Sequence, residues 1–208
     1  MINFLKKNKN NIIIIILLII IITITNSIIN QKPLAIDIIA HNIFVKKLRT
    51  PTLNTVMRII TRLSNSEGIV LFTLISFILI KNKKLALTVP LNVILAAILN
   101  QILKHIIRRP RPIGYRLIKI GGYSFPSGHA MLSMALYGYL LYLTHNYVKD
   151  KKKKLILMLL LILIIILVGI SRIYLGVHYC SDIITGYSIS IIYLIIYTNI
   201  IKKHISQN

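Results

Sequence analysis

What most limits the fold of this chain is a set of apolar runs too long for a soluble domain to bury. The first, at positions 12–29, is almost wholly Ile and Leu and holds no charged residue. A helix needs roughly 20 apolar residues to cross the hydrocarbon core of a bilayer, and this run comes close. Further runs occupy 85–103, 128–147, 155–170 and 183–201. A sixth, 66–80, is the shortest in apolar content, because its hydrophobic part begins at Gly68 and Glu67 falls near one interface. Counting it, the sequence predicts an all-α polytopic membrane protein: a single domain over 1–208, six transmembrane helices, and both termini on one side of the membrane. Lys6, Lys7 and Lys9 precede the first run as they would in a secretory signal. No small-x-small cleavage site follows, since Asn26, Ser27 and Asn30 do not make one, so the run is read as a retained span. Between the first and second spans the chain is polar, but Leu53, Val56, Met57, Ile60 and Leu63 recur at helical spacing. They predict an amphipathic helix on the outer face, lying on the membrane surface or capping the bundle.

Charge narrows the class further. Hydrophobic residues make up 56% of the chain, yet Lys and Arg number 26 against 4 Asp plus Glu, a formal charge of +22. A disordered basic tail lacks that apolar content, and a compact nucleic-acid binder does not carry such Ile and Leu runs; no nucleic-acid partner is expected. The cations segregate by type. Segments assigned to the inner side hold 13 Lys and no Arg: Lys6, Lys7, Lys9, Lys81, Lys83, Lys84, Lys149, Lys151 to Lys154, Lys202 and Lys203. The outer segments hold the other 13, including all eight Arg. Lys in short cytoplasmic loops is what topology requires, and both termini are accordingly expected in the cytoplasm. By counting alone the two sides tie, so the outer share needs its own cause. Arg is a planar fork suited to bidentate phosphate contact, which points to an anionic ligand on the outer face. The single Cys, Cys180, excludes an intramolecular disulfide, and no Cys/His cluster has zinc-like spacing.

Three outer-edge segments hold nearly all the polar residues beside the spans. They run from Lys104 to Pro112 after the third span, from Phe125 to His129 at the start of the fourth, and from Ser171 to Asp182 between the fifth and sixth. The six-span order brings all three to one face. Each fits a phosphate ester. Lys104, Arg111 and Arg172 would neutralise a phosphoryl group and the charge growing on its oxygens. Ser127 would cap a helix whose first amides form an anion site, with Gly128 allowing close approach. His178 and Asp182, four apart, would share a helix face, the carboxylate fixing the ring tautomer so that the other nitrogen is free to attack. His129 would supply the proton to a departing alkoxide.

These residues form an ordered pattern: Lys104-x6-Arg111-Pro112, then Pro126-Ser127-Gly128-His129, then Ser171-Arg172-x5-His178-x3-Asp182. In composition, order and spacing it resembles the type 2 phosphatidic acid phosphatase (PAP2) superfamily, with no departure at a defining position. The resemblance implies that His178 is the nucleophile forming a phosphohistidine, Asp182 its orienting base and His129 the general acid. It also implies that Lys104, Arg111, Ser127, Gly128 and Arg172 bind the phosphoryl oxygens. Water would then hydrolyse the intermediate, with no metal or other cofactor. The implied partners are membrane lipids and a lipid phosphate: phosphatidylglycerol phosphate, phosphatidic acid or undecaprenyl pyrophosphate. The implied location is the cell membrane, with the site facing outside.

Each piece has a plainer reading on its own. Juxtamembrane cations commonly anchor lipid headgroups, Ser-Gly is an ordinary helix cap, and His178 with Asp182 could be a simple surface pair. These readings would all have to hold together while matching three spacings. Moreover, an acid at a span edge is expensive without a function. A non-catalytic lipid-binding or transport protein would retain the cations without needing His129, His178 and Asp182. A vanadate-dependent haloperoxidase shares the motifs but not the spans. His105, Arg108 and Arg109 are read as accessory, and His41, His145 and His204 as solvated. Tyr115, Tyr123, Tyr147 and Tyr174 are read as an interfacial belt in a chain without Trp. Nothing in the sequence addresses oligomeric state.

Overall fold

A computed structural model describes residues 8–206, and every regular element among them is helical. Lys6 and Lys7, assigned above to the inner side, lie outside the described residues, as does the side chain of His204. Helix α1 spans Lys9–Ile29 and α2 spans Ala35–His41, running directly into a π-helical turn at Asn42–Lys47. Helices α3 (Pro51–Arg62), α4 (Ser66–Leu79) and α5 (Lys83–Ile107) follow. Helix α6 covers 128–147 without a break, as Gly128–Ser133, a π-helical turn Met134–Gly138, and Tyr139–Tyr147. The last two are α7 (Lys151–Tyr174) and α8 (Cys180–Ser206).

Side-chain caps explain where several helices start. Thr50, Asn82, Ser127 and Asp150 accept hydrogen bonds from the amides of Leu53, Leu85, Ala130 and Lys153, and Pro51 opens α3 where its missing N–H costs nothing. Among the described residues, α1, α5, α7 and α8 are each long and apolar enough to cross a membrane; α3 and α4, bent by 51° to one another, make a fifth if taken as one span. The chain is thus a multi-pass membrane protein. Several limits differ from the sequence expectation. Helix α4 has 14 residues, about 21 Å of rise against a hydrocarbon core of about 30 Å. Helix α5 runs on to Ile107, which puts Lys104 in its last turn, and α7 runs on to Tyr174, which takes Arg172 into the helix. The 31–50 stretch, read from the sequence only as polar, contains α2 and its π-helical turn.

Helix α8 packs against α1, α2 and α6, while α7 packs against α3 and α6, and α5 against α4 and α6. Between α5, α6 and α8 lie Val89, Leu136, Tyr137, Tyr139 and Tyr197, all buried. Several polar groups in this interior pair with one another: Thr88 Oγ1 lies 2.6 Å from the Tyr139 hydroxyl, and the Tyr197 hydroxyl donates to the Thr88 carbonyl at 2.6 Å. Asn92 donates to the Ala135 carbonyl, within the π-helical turn, at 2.7 Å. The outward sides of α1, α5 and α7 expose Ile and Leu, including Ile15, Ile19, Ile22, Ile94, Leu159 and Leu163. These form the lipid-facing belt.

Candidate active site

The three sequence segments converge at one end of the bundle, around a cavity of about 310 Å³ bordered by Lys104, Arg111, Gly128, His129 and His178. Lys104 comes from the last turn of α5, and Arg111 from the loop that leaves it. Arg111 is held by its backbone surroundings: Nε donates to the Gly121 and Gly122 carbonyls at 3.0 and 3.1 Å, and Nη1 to the Val177 carbonyl at 3.0 Å. Lys104 Nζ donates to the Tyr123 carbonyl at 2.6 Å. Ser127 is fully buried and caps α6, its hydroxyl accepting from the Ala130 amide at 3.4 Å, while its own amide donates to the Asp182 carbonyl at 3.1 Å. That bond ties the start of α6 to the start of α8. Gly128 sits tightly against α5: a Cβ there would lie 3.0 Å from Asn100 Oδ1 and 3.9 Å from Lys104 Cε.

His178 and Asp182 pair as their spacing suggests, but not on a shared helix face. Helix α8 begins at Cys180, so His178 stands in the preceding loop and Asp182 in the first turn. The His178 Nδ1 to Asp182 Oδ2 distance is 3.2 Å, and the same oxygen accepts the Tyr179 amide at 3.0 Å. A carboxylate only accepts, so the proton of neutral His178 sits on Nδ1 and the Nε2 lone pair is free. Arg111 Nη1 donates to that Nε2 at 3.0 Å. Burial pushes the His178 ring down to about 4; Asp182 opposes this, and the Arg172 and Arg111 charges add to it. At neutral pH His178 is therefore an uncharged base with its reactive nitrogen covered by a guanidinium.

Arg172, 1% exposed, is bonded through Nη1 to Thr61 Oγ1 at 2.7 Å, while its Nε and Nη2 are buried with no hydrogen-bond partner. No Asp or Glu among the described residues forms an ion pair with it. Two unpaired guanidinium donors in a dry interior are costly, and an anion with several acceptor oxygens satisfies them. His129 borders the same cavity, its Nε2 2.8 Å from Asn65 Oδ1 and its carbonyl accepting from Ser64 Oγ at 3.0 Å. Among the described residues no group of three or more His, Cys, Asp and Glu side chains could hold a metal ion.

Sequence reasoning missed several participants. Arg109, read as accessory, bonds to Asp182 Oδ1 at 2.6 Å and to Asp37 Oδ2 at 2.9 Å. Burial opposes its charge, but Asp182 and Asp37 outweigh that and raise its pKa further. Asn65 and Asn100 both border the cavity, and Asn100 donates to the Pro126 carbonyl at 3.2 Å. No periodicity or spacing marks a lone Asn at a helix bend, and Asp37 lies far from the motifs in sequence. The outer arginines also divide more finely than an anionic ligand would require. Arg49 donates to the Tyr174 and Tyr115 carbonyls and Arg58 to that of Leu117, lacing loops together.

Comparison with known proteins places the chain in a family. The family model of the PAP2 superfamily matches residues 85–206, more than half of the chain. Phosphatidylglycerophosphatase B of Bacillus subtilis (strain 168) is 34% identical over 96 residues, covering 46% of this chain and 47% of that protein. Sphingosine-1-phosphate phosphatase 1 of Rattus norvegicus is 35% identical over 109 residues, covering 50% of this chain and 25% of that protein. The matched segment thus spans half or less of the length of these curated relatives. The crystal structure of a transmembrane PAP2-type phosphatidylglycerolphosphate phosphatase from Bacillus subtilis superposes with a TM-score of 0.77 at 30% identity, covering 94% of this chain and 97% of that one. That of Aquifex aeolicus LpxE gives 0.65 at 24% identity, covering 80% and 96%, a likeness of fold.

Proposed function

Because the chain belongs to the PAP2 superfamily, we propose that it is an integral-membrane phosphatase that removes a phosphoryl group from a lipid at the outer membrane face. The observation that carries this reading is Arg172, buried with two donors unpaired, taken with the cavity that Lys104, Arg111, Gly128, His129 and His178 border. Lys104, Arg111 and Arg172 together with His129 and an uncharged His178 suit a phosphate dianion.

In this mechanism the incoming phosphate draws Arg111 Nη1 away from His178 Nε2, so substrate binding itself uncovers the nucleophile. Nε2 attacks phosphorus, the bond from phosphorus to the lipid oxygen breaks, and the departing oxygen takes a proton from His129, which carries that proton while the phosphate dianion is bound. Asp182 holds the Nδ1 proton and stabilises the positive charge on the phosphohistidine ring. Lys104, Arg111, Arg172, the Ser127 cap and the first amides of α6 at Gly128 stabilise the equatorial oxygens. His129, now neutral, takes a proton from the water that attacks phosphorus. The bond between nitrogen and phosphorus then breaks, releasing inorganic phosphate and restoring neutral His178. The charge is carried by the protein's own cations, with no metal required.

The proposal extends to topology: one domain over 1–208 and six spans, with α4 as a short second span and α6 as the fourth. Helix α3 lies along the outer surface, both termini are cytoplasmic and the site faces outward. Lipid monophosphates are the favoured substrates, because these relatives are named phosphatidylglycerophosphatase B and sphingosine-1-phosphate phosphatase 1; a polyprenyl pyrophosphate is the remaining class. Purified protein in detergent, given phosphatidylglycerol phosphate, phosphatidic acid and undecaprenyl pyrophosphate in the presence of a chelator, should release inorganic phosphate. Vanadate should inhibit the release, and His178→Ala should lower it by at least about a hundredfold. Full activity in His178→Ala would overturn the assigned nucleophile, and no release from any of the three would overturn the function.

A further inference from the structure

Asp182 has two carboxylate oxygens, and only one faces His178. The other, Oδ1, receives Arg109 Nη1 at 2.6 Å. Arg109 is itself gripped: Nη2 donates to Asp37 Oδ2 at 2.9 Å, Nη1 also donates to Ser181 Oγ at 2.8 Å, and its guanidinium lies 3.9 Å over the Tyr179 ring. Asp37 completes the frame through Ser181, whose amide donates to Oδ1 and whose hydroxyl donates to Oδ2, each at 2.8 Å. The side chains of Arg109, Asp37 and Asp182 are 13%, 9% and 0% exposed. Arg109 is thus an enclosed cation between two enclosed carboxylates, one of which holds the ring of His178.

A buried ionic triad gains little net stability over apolar packing, because desolvating three charges offsets most of their attraction. What it does supply is geometry. Guanidinium forks bind carboxylates in a fixed plane, and Asp182 has no rotational freedom once both of its oxygens are bonded. The His178 ring then points Nε2 at Arg111 and the cavity. Asp37 lies on α2, outside the 85–206 region matched by the family model. We propose that Asp37 and Arg109 are positioning residues for His178. In this role the N-terminal third of the chain, through α2, sets the orientation of Asp182 and with it the tautomer and aim of the nucleophilic ring.

The inference rests on the proposed function for its kinetic consequence but not for its structural one, so two readouts are needed. The first is nitrogen NMR of the full-length protein in detergent, labelled with ¹⁵N-histidine, with the His178 signals assigned by their loss in His178→Gln. The wild type should show His178 as one tautomer, protonated at Nδ1. Asp37→Asn, which turns an amide N–H₂ or a weaker acceptor toward Arg109, should give a mixture of tautomers. The second is steady-state hydrolysis of phosphatidic acid in mixed micelles. Asp37→Asn should lower kcat by about tenfold or more, the cost of a misaimed reacting group, with KM and vanadate inhibition within about twofold of wild type. Ser181→Ala, which removes only the hydroxyl of the frame, should lower kcat in the same way but by less, and serves as the second variant should Asp37→Asn fail to fold. A single Nδ1–H tautomer with unchanged kcat in Asp37→Asn, or in Ser181→Ala where that is the variant that folds, overturns the inference while leaving the phosphatase intact. A tautomer change in a protein that hydrolyses none of the three lipids upholds the positioning role and overturns the function.

Discussion

At Arg172, Nε and Nη2 are buried without partners while Nη1 is fixed to Thr61 Oγ1, so the guanidinium is already aimed before any ligand arrives. Such preorganisation makes a donor effective, because no side-chain freedom is lost when the anion binds. Lysine in its place would keep the charge but present a single hydrated point in place of a fork. Arg172→Lys should therefore raise the vanadate inhibition constant by about tenfold or more, read from inhibition of phosphatidic acid hydrolysis. An unchanged constant would remove Arg172 from the anion site. His178 shows the complementary principle. Its burial keeps the ring uncharged at neutral pH, so the lone pair that the proposed mechanism uses is present without any general base to create it, and among the described residues Arg111 occupies it.

The loops between helices carry as much of the site as the helices do. Between α7 and α8, Gly176 adopts φ +71°, and a Cβ there would collide with the Tyr115 carbonyl and lie 2.9 Å from Arg49 Nη2. The turn lets His178 leave α7 and face back into the cavity only two residues later. Gly176→Ala should cost about 2 kcal/mol or more, from the left-handed backbone together with the collision. This would be measured as a lowered unfolding midpoint in detergent, and an unshifted midpoint would refute the account. Elements also differ in how plainly the sequence announces them. Helices α5, α6, α7 and α8 carry long apolar runs, and the polar residues at their ends have fixed spacings, so Lys104, Arg111, Ser127, His129, Arg172, His178 and Asp182 could be named in advance. Helix α2 has seven residues and is too short for periodicity to register; only its packing on α8 and the reach of Asp37 to Ser181 give it a visible purpose. The α3–α4 bend was illegible for a related reason. Asn65 and Ser64 matter through what they touch on α6, a contact between segments about 65 positions apart.

For the whole molecule, the charge of +22 resolves into separate uses in the proposed topology: lysines on the inner segments for orientation, some arginines lacing loops together, and a few cations near the cavity. The motif-bearing part, 85–206, is not the whole site. Thr61, Ser64, Asn65 and Asp37 all precede it, and each bonds directly to a residue within it. The proposed site is therefore built from two lengths of polypeptide. A break in the Lys81–Lys84 connection would turn the enzyme into a two-piece device whose output reports their encounter. Co-expressed fragments 1–82 and 83–208 should restore vanadate-sensitive phosphate release that neither yields alone. Activity from the second fragment by itself would show that the first is dispensable scaffolding. Catalysis would then be a measure of assembly, with the N-terminal piece acting as a removable licence for the C-terminal one.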